Sequence, residues 1–102
     1  MNSPPGQTEF SREHGCTEDE WLRWLPGAVR DNAWTLMRPG KARVVLASGG
    51  TLTLRWHGLP QRRLGQTLMP RLSVNYLFDG VGDAEREEFM RYFDLYLQRG
   101  GG

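Results

Sequence analysis

The side chains of this chain best suited to chemistry are cations gathered in one stretch: Arg55, His57, Arg62, Arg63 and Arg71, with Trp56 among them. Arginine forks bind phosphate and carboxylate oxygens through paired, charge-assisted hydrogen bonds. An aromatic ring beside them offers a stacking surface for a base. Together they suit single-stranded nucleic acid or a phosphorylated small ligand, and the same cations also suit an acidic protein partner. His57 is the one residue of the stretch able to move a proton near neutrality, and an enzyme built on it would need a pocket bringing a carboxylate to it.

The other candidates carry less. His14 and Cys16 lie close together, but two donors fall short of a closed metal site. No serine or cysteine stands in a recognisable nucleophile elbow, so no catalytic residue, metal or cofactor is assigned. Gly80-Val81-Gly82, between a strand pattern and a helix pattern, has the outline of a dinucleotide-binding turn. Such a turn needs bare amides and a third glycine; Glu85 occupies that third position, and Asp83, Glu87 and Glu88 would repel phosphate. An arginine pair, a Ser-Gly-Gly turn and a closing strand–helix resemble parts of the cyclic-dinucleotide-binding PilZ family. That family's separated arginine pair before the first strand and its Asp/Asn-x-Ser-x-x-Gly motif are not met, Leu46 standing where the Asp or Asn belongs, and the chain is not assigned to it. Arg99-Gly100-Gly101-Gly102 is similar to the glycine tails of ubiquitin-like carriers, although those tails follow a strand and this one follows a helix pattern.

Length and composition frame these readings. A chain of 102 residues supports one domain with a single modest core, which four Trp, four Phe, three Tyr and four Met can fill. The single cysteine excludes an intramolecular disulfide and, with no apolar run near the length of a membrane span, points to a cytoplasmic protein. Net charge is +1, yet the segments 1–29, 30–71 and 72–102 carry −3, +7 and −3. That separation marks either a site for an anionic partner or acidic end segments folded back on a basic sheet.

The elements that must position the cations are read from periodicity. Lys41 to Trp56 alternates around Gly49-Gly50, which predicts a β-hairpin with a two-residue turn. In that register Val45 faces Leu54 and Arg43 faces Trp56, and Ala47, Val45, Leu52, Leu54 and Trp56 form the core face. Residues 1–16 are polar and rich in Pro and Gly, and are read as a disordered tail. Thr17 to Glu20 fits a capping box opening a short helix that buries Trp21, Trp24 and Leu25 and ends at Pro26-Gly27. A strand is expected at about 33–38. His57 to Pro60 reads as a turn, and residues 61–66 as a basic loop. Residues 68–78 form a strand with Leu72, Val74, Tyr76 and Phe78 on one face. Asp83 caps a final helix, Ala84 to Arg99, whose apolar stripe is Phe89, Met90, Phe93, Tyr96 and Leu97.

The expectation is an α+β domain over residues 17–99: an antiparallel sheet of three to four strands, covered on one face by the C-terminal helix and the short N-terminal one. Its expected role is non-catalytic binding of an anionic partner at a basic sheet end formed by Arg55, Trp56, His57, Arg62, Arg63 and Arg71, with no membrane involved. The alternatives are a protein-interaction or homo-oligomeric module, and a carrier using the glycine tail.

Overall fold

A computed structural model describes residues 6–100 of the protein. The fold is α+β. Its strands are β1 (Gln7–His14), β2 (Ala33–Arg38), β3 (Lys41–Val45), β4 (Thr51–Leu64) and β5 (Thr67–Asp79). Helix α1 (Glu18–Ala28) follows β1, and α2 (Asp83–Gln98) follows β5. The strands make one antiparallel sheet in the order β1-β5-β4-β3-β2. Both helices pack on the same face, through Trp21 against Trp56 and Phe93, and through Phe89 against Phe78.

Local chemistry explains most of these elements. Thr17 accepts from the Glu20 amide and the Glu20 carboxylate accepts from the Thr17 amide, so the capping box opens α1. Trp21, Leu25 and Ala28 then fall on one buried face. Trp24 is only half-buried, and the helix carries Pro26 within its last turn rather than stopping there. Pro26 sits where only the bond back to Leu22 is lost, so the turn survives. The expected strand at 33–38 is β2. In α2, Phe89, Met90 and Phe93 are buried and Tyr96 and Leu97 pack at the core margin. Gly82, not Asp83, is its N-cap; Asp83 is the first helical residue and pairs with Arg86 at 2.8 Å.

Three expectations are corrected. Residues 7–14 are not a disordered tail but the strand β1, which makes the sheet five-stranded; residues 1–5 of that expected tail lie outside the described residues. An edge strand needs one apolar anchor and polar partners, and β1 has both. Phe10 stacks on Tyr76 at 4.9 Å, His14 bonds the Tyr76 hydroxyl at 2.7 Å, and Arg12 pairs with Asp94 of α2. On the other side of the strand, Ser11 and Glu9 both bond Asn75, and Glu13 holds Arg71. Its charges also discourage pairing with a further strand.

The second correction is the β3–β4 register. Val45 pairs with Thr51, Val44 with Leu52 and Ala42 with Leu54, three positions from the expected register. The loop is Ala47-Ser48-Gly49, closed by the Leu46 amide on the Gly50 carbonyl at 2.8 Å. Only Gly49 takes a positive φ, 96°, as in a three-residue hairpin loop. An odd shift turns every β3 side chain to the other face. Ala42, Val44 and Leu46 are therefore buried and Val45 is 43% exposed. The inversion gathers six apolar side chains (Ala42, Val44, Leu46, Leu52, Leu54 and Trp56) on one face. Gly50 is needed for contact rather than for its φ: a β-carbon there would overlap the Gly80 carbonyl.

Third, His57–Pro60 is not a turn and 61–66 not a loop. β4 runs on to Leu64, and β5 begins at Thr67 across a Gly65-Gln66 turn in which Gly65 has φ 61°. The register shifts between Leu59 and Arg62, so Pro60, which has no amide to donate, falls at a bulge. A long, exposed β4–β5 arm results.

Candidate anion-binding face

Among the described residues nothing covers the face of the sheet opposite the helices, and alternation decides what it carries. Lys41, Arg43 and Val45 of β3 stand beside Thr53, Arg55 and His57 of β4, then Arg71, Ser73 and Asn75 of β5, then Glu9, Ser11 and Glu13 of β1. Lys41 lies directly across from Arg55, and Arg43 across from Thr53. The Trp56 amide bonds the Gly40 carbonyl at 2.9 Å, so the neighbouring Lys41–Arg55 pair occupies a position without ladder bonds, where opposed side chains come closest. Among the described residues Lys41, Arg43 and Arg55 form no ion pair. One row further, His57 stands exposed across from Ser73.

The charge on this face is graded. Bases hold the β3–β4 side, and Glu9 and Glu13 hold the β1 edge, two strands away. Glu13 is already engaged: Arg71 donates to both its oxygens at 3.0 and 2.9 Å, and Arg62 lies 3.6 Å away. The hydrogen bond from Arg71 holds the Glu13 carboxyl below its ordinary pKa and raises that of Arg71. Arg71 also donates to the Pro60 carbonyl at 3.2 Å, fastening the bulge.

The six expected site residues are therefore not one group. Arg55 and His57 share the open face. Arg71 is held by Glu13 of the N-terminal segment through two hydrogen bonds, and Arg62 shares the same carboxylate at 3.6 Å. Arg63 lies out on the arm, across from Leu68. Trp56 is on the other face of the sheet, buried against Trp21, with its indole nitrogen donating to Glu18 at 2.8 Å. It offers no stacking surface to a ligand on the basic face. Lys41 and Arg43 complete the basic group instead. Sequence reasoning missed them because the two-residue turn placed them on the core side. Placing bases outward, with Ala42, Val44 and Leu46 inward, would have found them.

The remaining candidates are also located. Cys16 is buried at the start of α1, where burial and, after it, the Glu20 charge push its thiol up to about 11. Such a thiol stays protonated and unreactive at neutral pH. Among the described residues no three His, Cys, Asp or Glu side chains gather to hold a metal ion. The turn before α2 is occupied by its own acids, with Glu85 accepting from the Ser48 amide at 3.2 Å and from its hydroxyl. Gly101 and Gly102 of the glycine tail lie outside the described residues. Among the described residues no helix is long and apolar enough to cross a membrane. Comparison with protein-family models, with curated proteins and with solved structures gives no match for the chain.

Proposed function

We propose that the protein is a non-catalytic binding module for a phosphate-bearing partner, held on the uncovered sheet face by Lys41, Arg43 and Arg55 with His57 at the margin. The observation that carries the reading is the direct opposition of Lys41 and Arg55 on an exposed face with no acid between them. Like charges across an antiparallel pair destabilise a sheet, and an anion lying between them removes that cost. The face is open, so it suits an extended polyanion better than a small molecule that must be enclosed. Thr53, Ser73 and Asn75 add hydrogen-bonding groups to the row. Among the described residues that face carries no Phe, Tyr or Trp, so contact falls mainly on the phosphate backbone and is tolerant of base sequence.

The test is fluorescence anisotropy of a labelled single-stranded RNA at low and physiological salt. Binding through three cations gives a log–log salt slope of about −2. A Lys41→Gln/Arg55→Gln variant loses the binding, whereas Arg62→Ala/Arg63→Ala, on the arm, retains most of it. Absence of binding at low salt overturns the nucleic-acid reading. Retention of an acidic protein by the same cations would then assign the face to protein recognition.

A further inference from the structure

The chain has twelve arginines and one lysine, and the lysine is Lys41. Arginine keeps its proton, whereas a lysine amine that has shed its proton attacks acyl carbon. The one side-chain amine of the protein therefore stands among the bases of the open face. Arg55 lies directly across from it on β4, and Arg43 follows two residues along β3. Its register partner on β2 is Arg38, so neither neighbouring strand sets an acid against it. Opposed side chains of such a pair have β-carbons about 4.5–5.5 Å apart, and alternate residues of a strand stand about 7 Å apart. A phosphate held by Arg43 and Arg55 thus lies within reach of the Lys41 amine. Both arginines are exposed and Lys41 is half-buried, an arrangement in which the stem lies on the sheet and the amine stays in water.

Resting on the anion-binding reading, we propose that Lys41 is a modification site for acyl phosphates, and that its acylation regulates the same face. In an acyl phosphate the phosphate is bonded to the acyl carbon itself. Cations that hold the phosphate therefore bring that carbon to the amine. The neutral amine attacks the acyl carbon, and the C–N bond forms as the C–O bond to phosphate breaks. Phosphate leaves with the electron pair of that bond, and the proton shed by nitrogen passes to the phosphate or to water. Arg43 and Arg55 also stabilise the departing charge. On an open face an imine from a phosphorylated aldehyde would meet water and hydrolyse, whereas an amide persists. The amide is uncharged, so acylation removes a cation from the binding group and ends the Lys41–Arg55 repulsion together.

The test is acetylation of the full chain by acetyl phosphate at pH 8, with occupancy of Lys41 followed by peptide mass spectrometry. Lys41 of the folded protein reacts at least about fivefold faster than Lys41 of the urea-denatured chain, because the reagent is held beside it. Arg43→Gln/Arg55→Gln, shown folded by circular dichroism, loses that advantage. Inorganic pyrophosphate, competing for the cations, suppresses it in the unsubstituted protein. 4-Nitrophenyl acetate carries no phosphate and separates holding from mere exposure of the amine: its rate at Lys41 depends on neither the arginines nor pyrophosphate. The acetylated protein then binds RNA with a log–log salt slope smaller by about 0.7. Equal rates in folded and denatured chains, or an arginine dependence shared by both reagents, overturn the proposal. RNA binding by the unacetylated protein tells the two failures apart. Where it persists, the acyl-phosphate inference falls alone; where it is absent at low salt, the nucleic-acid reading falls with it.

Discussion

The imidazole Nε2 of His14 lies 2.7 Å from the Tyr76 hydroxyl, joining the edge strand β1 to the centre of the core. The ring stacks on Trp21 at 5.6 Å, with Arg12 and Asp94 as the charged groups nearby. Burial lowers the His14 pKa below 6.5; the Arg12 charge lowers it further, and Asp94 partly opposes them. Burial likewise raises the Tyr76 pKa, so the phenol stays protonated throughout the ordinary range.

The sign of the resulting pH dependence follows. The unfolded chain protonates His14 at a higher pH than the folded one does, so stability from this group is complete above 6.5. It declines as the pH falls through the folded pKa and then levels off. Urea unfolding across mildly acidic pH measures this decline, and a His14→Gln variant flattens it. A wild-type profile as flat as that of the variant would show that His14 is not held neutral.

Cys16 tests the same region by reactivity. Its buried thiol, raised to about 11, reacts slowly with a disulfide reagent at pH 8 in the folded protein and at the rate of a free cysteine in denaturant. Rapid reaction in the native state would place the β1–α1 junction in solvent.

The Lys41–Arg55 opposition carries a stability prediction separate from binding. Lys41→Gln removes the repulsion and raises unfolding free energy by about 0.2–1 kcal/mol while weakening anion binding. Added salt narrows the difference, because the two exposed charges are screened. Equilibrium denaturation at low and high salt reads both effects.

Val44 and Val45 are neighbours with opposite fates, one wholly buried and the other 43% exposed. Val44→Ala costs about 2 kcal/mol through loss of packing. Val45→Ala stays within about 0.5 kcal/mol. The two-residue turn register demands the reverse, so this pair of denaturation curves decides between registers.

Gly50 packs against the β5–α2 turn with no room for a methyl group, obstructed by the Gly80 backbone, which cannot give way, and by the Val81 side chain. Gly50→Ala lowers stability by about 2 kcal/mol. Gly49→Ala is also costly, for a different reason: its φ of 96° excludes a β-carbon although space is free around it. Gly49→Asn, which tolerates a left-handed backbone, recovers part of the loss, whereas Gly50→Asn does not.

How far the sequence could be read depended on whether the governing interaction was local. The Thr17–Glu20 box, the Phe89–Phe93 stripe of α2 and the Leu72–Phe78 alternation of β5 are satisfied within a few residues, and each was legible. The helices, the antiparallel sheet and the strand at 33–38 followed from them. β1 was not legible because its polar residues are ordered by Tyr76, Asn75, Arg71 and Asp94, all at least 58 positions away. The register of β3 was misread because two adjacent glycines suggest a turn in which both take positive φ. Here Gly50 instead answers to Gly80. Of the candidate site, Arg55 and His57 were found from charge alone. Their companions Lys41 and Arg43 depended on the register. The removal of Trp56, Arg62 and Arg71 depended on partners in α1 and β1.

The pairing of β1 with β5 also orders events during synthesis. Gln7 must meet Asp79, and Arg12 must meet Asp94, so the first strand made is the last to find its place. β2 to β5 join successive neighbours and can assemble as they leave the ribosome, whereas β1 waits for most of the chain. Until then Tyr76 and Phe78 lack the cover of Phe10, and the flank of β5 stays open to a strand from another nascent chain. The charges along β1 protect the finished sheet, and before docking the growing polypeptide passes through an interval in which that protection is absent.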